Sequence, residues 1–122
     1  MNLETFEKLQ LNEVKELVKI YSAADVFINP TREDTFPTVN IESIACGTPV
    51  IAFNTGGCPE IINEKCGFIV EKNNYNELKN CIENNKDIKN KFTNNCVEEA
   101  KQFDAKLKYL EYYNFFKKIC KK

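Results

Sequence analysis

Residues 49–53, Pro-Val-Ile-Ala-Phe, form an apolar run with no polar alternation, between Gly47 and Gly56-Gly57. A strand of that kind is buried on both faces. It belongs in a parallel sheet covered by helices on each side. This requirement governs the reading of the rest of the chain. Val26 to Asn29 is a second short apolar strand, ended by Pro30, and Phe68-Ile69-Val70 after Gly67 is a third. The stretches between them read as helices. Parallel neighbours need such crossovers, so the alternation predicts an α/β fold, a Rossmann-like parallel sheet of about three strands with flanking helices.

The helical stretches have recognisable ends. Val14, Leu17, Val18 and Tyr21 recur at helical spacing and predict an amphipathic helix over 13–22, with Asn12 as its N-cap. Pro37 suits the first turn of a helix that runs to about Cys46, and Gly47 suits the position just past its end. Pro59 starts a short helix through Ile62. Asn74, with Glu77 three residues later, opens a helix over 75–84. Ile88, Phe92, Cys96, Ala100 and Phe103 share one helical face. A C-terminal helical segment over about 105–119 carries Leu107, Leu110 and five aromatics, which read as core or interface packing.

A chain of 122 residues is expected to be one domain over 1–122, large enough for one core. A net charge of −1 gives no electrostatic case for nucleic acid. The six cysteines include no pair closer than eight residues, and there is no histidine. Structural zinc and histidine-assisted nucleophiles are therefore not expected, and buried reduced thiols are. The N-terminal residues carry no signal pattern and no apolar run approaches the roughly 20 residues that span a bilayer. A cytoplasmic location is expected, with any membrane association running through a partner.

The chemistry concentrates between the first strand and the helix after it. Ligands of open α/β sheets sit beyond the carboxyl ends of the strands, and a helix N-terminus there offers free N–H groups and about half a positive charge. Pro37 has no N–H, so a diphosphate docked at that helix would contact Thr38 and Val39. Asp34, with Glu33 beside it, would accept hydrogen bonds from sugar hydroxyls. Glu42, eight residues beyond Asp34, would accept both hydroxyls of a ribose. Spacing alone also fits a plainer reading, in which Asp34 caps the helix and Glu42 is a partly buried structural acid.

The run Asp34-Thr35-Phe36-Pro37 to Glu42, followed by Ser43-Ile44-Ala45-Cys46-Gly47-Thr48-Pro49-Val50, resembles the donor-binding half of the retaining, nucleotide-sugar-dependent glycosyltransferases with the GT-B fold, known as group 1 or family 4. That family has two glutamates separated by seven residues, often in a Glu-Gly-Phe-Gly setting, then an Ala-x-Ala-x-Gly-x-Pro-Val run. Ala23 to Phe27, the loop Gly56-Gly57-Cys58-Pro59-Glu60-Ile61 and Gly67-Phe68-Ile69-Val70 match it as well. The resemblance covers nearly the whole chain. It departs at Asp34, one methylene shorter than the usual glutamate, and at Thr35 and Pro37, where glycines are common.

The resemblance implies a substrate-binding set of Glu33, Asp34, Thr35, Phe36, Pro37, Thr38, Val39 and Glu42. It implies a nucleotide diphosphate sugar as donor, a glycan or lipid-linked acceptor as in polysaccharide biosynthesis, and no metal or other cofactor. In the family's sheet order, 3-2-1-4-5-6, the strands here are 4, 5 and 6. The upstream strands, the basic pair that holds the diphosphate and the acceptor domain are not among these residues. Catalysis by this chain alone is therefore not expected, and no catalytic residue is assigned. The strand 26–29 is expected to pair through its bare edge with a second copy or a separately encoded partner. The alternative to a donor-binding portion is a truncated module that folds and binds without turnover. A response-regulator-like domain ranks last, because the clustered acids of its phosphate-acceptor site are missing.

Overall fold

A computed structural model describes residues 3–31 and 38–103 together with Ile119, with side chains from Asn12 onward. The elements are α1 (Leu3–Ala23), β1 (Phe27–Asn29), α2 (Thr38–Ala45), β2 (Val50–Phe53), α3 (Cys58–Ile61), β3 (Gly67–Val70), α4 (Tyr75–Asn84) and α5 (Ile88–Lys101). The three strands form one parallel sheet in the order β1-β2-β3, as the apolar run at 49–53 requires. Phe27 lies opposite Val50, and Val50 opposite Gly67. Every residue of β2 is buried.

The pleat sends alternate side chains to opposite layers. On one face Val50 and Ala52 pack with Ile41 and Ile44 of α2, Ile61 of α3, and Cys96 and Ala100 of α5. On the other, Ile51, Phe53 and Val70 pack with Leu78 of α4 and Ile88 at the start of α5. Val14, Val18 and Tyr21 of α1 form a third cluster with Cys46 beside α2. This cluster seats α1 against the β1 side of the domain.

Two local features hold the sheet close. Gly67 faces the β2 backbone so closely that a Cβ there would sit 1.8 Å from the Val50 oxygen. Gly47 takes φ +80, the left-handed conformation that ends α2. Asn74 caps α4 as its spacing predicts, its side-chain oxygen accepting from the Glu77 N–H at 3.0 Å.

The first helix corrects one expectation. It begins at Leu3, and Asn12 lies inside it rather than at its N-cap. No Gly or Pro occurs before Pro30. Once a helix is nucleated, each added residue gains a hydrogen bond, and an interior Asn costs only a few tenths of a kcal/mol. The predicted helix over 105–119 lies outside the described residues apart from Ile119, which is helical.

Candidate donor site at the carboxyl edge of the sheet

The site is built where three segments meet: the end of β1, the first turn of α2 and the glycine loop between β2 and α3. Asn29, the last residue of β1, donates from its side-chain amide to the Asn40 side-chain oxygen at 2.8 Å. Asn40 is fully buried in the first turn of α2 and donates onward to the Cys58 sulfur at 3.5 Å. Cys58 opens α3 immediately after Gly56-Gly57. A second link runs in parallel, since the Thr55 hydroxyl donates to the Thr31 carbonyl at 2.9 Å. The relay thus ties β1, α2 and α3 together, and the Thr55–Thr31 bond ties the glycine loop to the chain leaving β1.

Thr38 is the first residue of α2 and is half-buried; Val39 beside it is 37% exposed. Glu42 lies one turn further on, on the same helical face as Thr38 and about 6 Å along the axis. It is only 6% exposed, and Tyr21 of α1 donates its hydroxyl to Glu42 Oε2 at 3.1 Å. Thr38, Val39 and Glu42 are thus on one short helix at the carboxyl edge. Glu33, Asp34, Thr35, Phe36 and Pro37 lie outside the described residues.

Tyr21 is itself held in place. Its ring meets Phe27 edge-on, with centroids 5.5 Å apart and an interplanar angle of 84°. Its carbonyl accepts from the buried Thr48 hydroxyl. Just beyond, Lys89 of α5 donates to the carbonyls of Ser22 and Ala24, so a cation closes the C-terminal end of α1.

Sequence reasoning passed over Tyr21, Asn29, Asn40, Thr55 and Cys58. Two of them carried a usable signal. Asn40 is polar beside the apolar Ile41 and Ile44, and Tyr21 ends an apolar stripe with a polar tip.

The remaining titratable groups point to packing. Cys46, Cys58, Cys66 and Cys96 are buried thiols that form no disulfide with one another, and Cys81 is half-buried. Burial, with help from neighbouring Cys66 and Glu99, pushes the Cys96 thiol up to about 12. Burial also raises Cys66 and Cys81. Among the described residues no group of three or more His, Cys, Asp or Glu side chains is placed to hold a metal ion. None of their helices is long and apolar enough to cross a membrane. An open depression of about 410 Å³ lies over Glu71 to Asn76, after β3, and includes none of the candidate residues.

Residues 5–103 match the model of the family described as glycosyl transferases group 1. The chain belongs to the group 1 glycosyl transferases. Among its relatives, an uncharacterized glycosyltransferase of Methanocaldococcus jannaschii is 33% identical over 106 residues, covering 84% of this chain and 30% of that protein. A D-inositol 3-phosphate glycosyltransferase of Corynebacterium jeikeium is 43% identical over 58 residues, covering 47% of this chain and 14% of the relative. Among solved structures, a sucrose-phosphate synthase from Thermosynechococcus elongatus superposes with a TM-score of 0.63 at 32% identity, over 78% of this chain and 26% of its own. The three-stranded parallel sheet and its helices correspond to part of a Rossmann-like half of the GT-B fold. The group 1 chain described here spans less than a third of the length of these proteins.

Proposed function

We propose that this group 1 glycosyl transferase domain binds the nucleotide-sugar donor for transfer to a glycan or lipid-linked acceptor. The observation that carries the reading is the pair of links that draws β1, α2 and the glycine loop with α3 together at this edge, through Asn29, Asn40 and Cys58 and through Thr55 and Thr31. Such an edge is where open α/β sheets take ligands, and a helix start there suits a diphosphate.

In this reading the N–H groups of Thr38 and Val39 hold phosphate oxygens and Glu42 accepts from the ribose. Asp34, with Glu33 beside it, accepts from the sugar, and Thr35, Phe36 and Pro37 shape the loop between. The helix start would favour the negative charge that gathers on the leaving diphosphate as the sugar departs. A basic pair and an acceptor site would come from outside these residues, as would any further strand on the open edge of β1. Among the described residues β1 is an edge strand, which suits pairing with a second copy or a separately encoded partner. A strictly monomeric species in concentrated solution, seen by sedimentation, removes the second-copy form of this pairing.

A module that binds without turnover shares the same site and is the alternative reading. The test common to both is a titration of isotope-labelled chain with UDP, GDP and their sugar conjugates, read by amide NMR. Localised shifts at Thr38, Val39 and Glu42 are expected. A dispersed spectrum that no nucleotide perturbs overturns the donor reading.

A further inference from the structure

We infer that Tyr21 is a positioning residue that sets, through Glu42, how this chain distinguishes a ribose from a deoxyribose; the inference rests on the donor reading above. The side chains of an α-helix lean toward its own N-terminus. Helices flanking a parallel sheet in βαβ order run against the strands, so α2 leans its side chains toward the carboxyl edge. α1 ends where β1 begins and so runs the same way. The phenol of Tyr21 and the carboxylate of Glu42 thus lean the same way and meet at 3.1 Å.

A carboxylate turns broadly about its last torsion, and its preferred rotamer alone does not fix where its two oxygens face. A hydrogen bond from a rigid donor restricts it. Tyr21 is rigid for reasons independent of Glu42: the edge-on Phe27 ring, the Thr48 hydroxyl on its carbonyl and the Lys89 ammonium on the next carbonyls. An ionised carboxylate only accepts, and a ribose presents two adjacent hydroxyl donors where a 2′-deoxyribose presents one. Paired bonds of this kind demand orientation, so discrimination between the two sugars reads the positioning directly.

The test is the affinity of the full chain for UDP and 2′-deoxy-UDP, with GDP and 2′-deoxy-GDP in parallel, in the wild type, Tyr21→Phe, Glu42→Gln and the double variant. The wild type is expected to prefer the ribonucleotide by about tenfold, the worth of one hydrogen bond to a charged group. Tyr21→Phe keeps the ring against Phe27; it should lose most of that preference by weakening the ribonucleotide while leaving the deoxynucleotide unchanged. Glu42→Gln should lose it too, and the double variant should lose no more than Glu42→Gln alone.

Equal weakening of both nucleotides by Tyr21→Phe means a packing role and overturns the inference, as does an unchanged preference. Additive losses in the double variant overturn it as well. A wild type that binds no nucleotide overturns the donor reading and this inference together. A wild type that binds without preferring ribose overturns this inference alone. Should Tyr21→Phe not fold, a preference retained in Glu42→Gln still overturns it.

Discussion

Asn29 and Asn40 share a side-chain hydrogen bond of 2.8 Å between the last residue of β1 and the first turn of α2. The bond joins a strand end to a helix start across the loop that carries most of the candidate site. Truncating Asn40 to alanine leaves the Asn29 amide without its acceptor in a part-buried place and opens a small cavity. Asn40→Ala is expected to cost about 1–3 kcal/mol in urea unfolding. It should also weaken nucleotide binding, because α2 then loses its side-chain links to the end of β1 and to Cys58. An unchanged midpoint would show that the relay contributes nothing.

Gly67→Ala tests the closest approach in the sheet. The added Cβ would meet the Val50 oxygen at 1.8 Å and the Val50 carbonyl carbon at 2.8 Å, and neither is a side chain that can swing aside. β2 and β3 must separate, and a loss of about 3 kcal/mol or more is expected by thermal unfolding. Gly47→Ala is the milder comparison. Its left-handed φ of +80 and the Thr93 methyl 3.0 Å away point to a cost of about 1–2 kcal/mol.

Asn74→Ala removes the side chain that accepts from the Glu77 N–H. A loss of about 0.5–2 kcal/mol is expected, concentrated in α4, where amide hydrogen exchange should accelerate first. Asn74→Asp retains an acceptor and should restore most of the protection.

The thiols give a pH prediction with a definite sign. Burial raises Cys96 to about 12 in the folded chain, so it stays protonated where an unfolded thiol has already ionised. Its contribution to stability is fully present below the unfolded thiol pKa, and is lost as pH rises from there through about 12. Cys66 and Cys81 act in the same direction. Stability should therefore fall above about pH 9. In timed alkylation near neutral pH followed by mass spectrometry, Cys81 should react before Cys46, Cys58, Cys66 and Cys96, since those four are buried.

What the sequence made legible was what local chemistry decides. An apolar run at 49–53 has only a two-sided sheet to go to, and Asn74 before Glu77 has an evident use. Gly47 after a helical stretch ends it because its backbone tolerates the left-handed turn. The start of α1 was missed because helix propagation overrides a good capping residue in mid-helix. Within the candidate site, the positions of Thr38, Val39 and Glu42 near the start of α2 were legible from Pro37 and the glycine at the far end. The partner of Glu42 was not. Tyr21 lies 21 residues away, and nothing in the spacing of either residue reveals that two helices bring them together. The Asn40 relay is hidden in the same way, spanning β1, α2 and α3.

The clasp of Lys89 on the end of α1 has a consequence for how the chain is made. It joins residues 65 and 67 positions apart. During synthesis α1 emerges well before α5, and the ammonium that closes the end of that helix follows only after roughly 65 further residues, on the order of 3–13 s at ordinary ribosomal speeds. Until then the entry to β1 is held by nearer segments, with the Thr48 hydroxyl on the Tyr21 carbonyl and the Phe27 N–H on the Pro49 carbonyl. The closing of the α1 end is therefore the last of these bonds to form, timed by the arrival of α5.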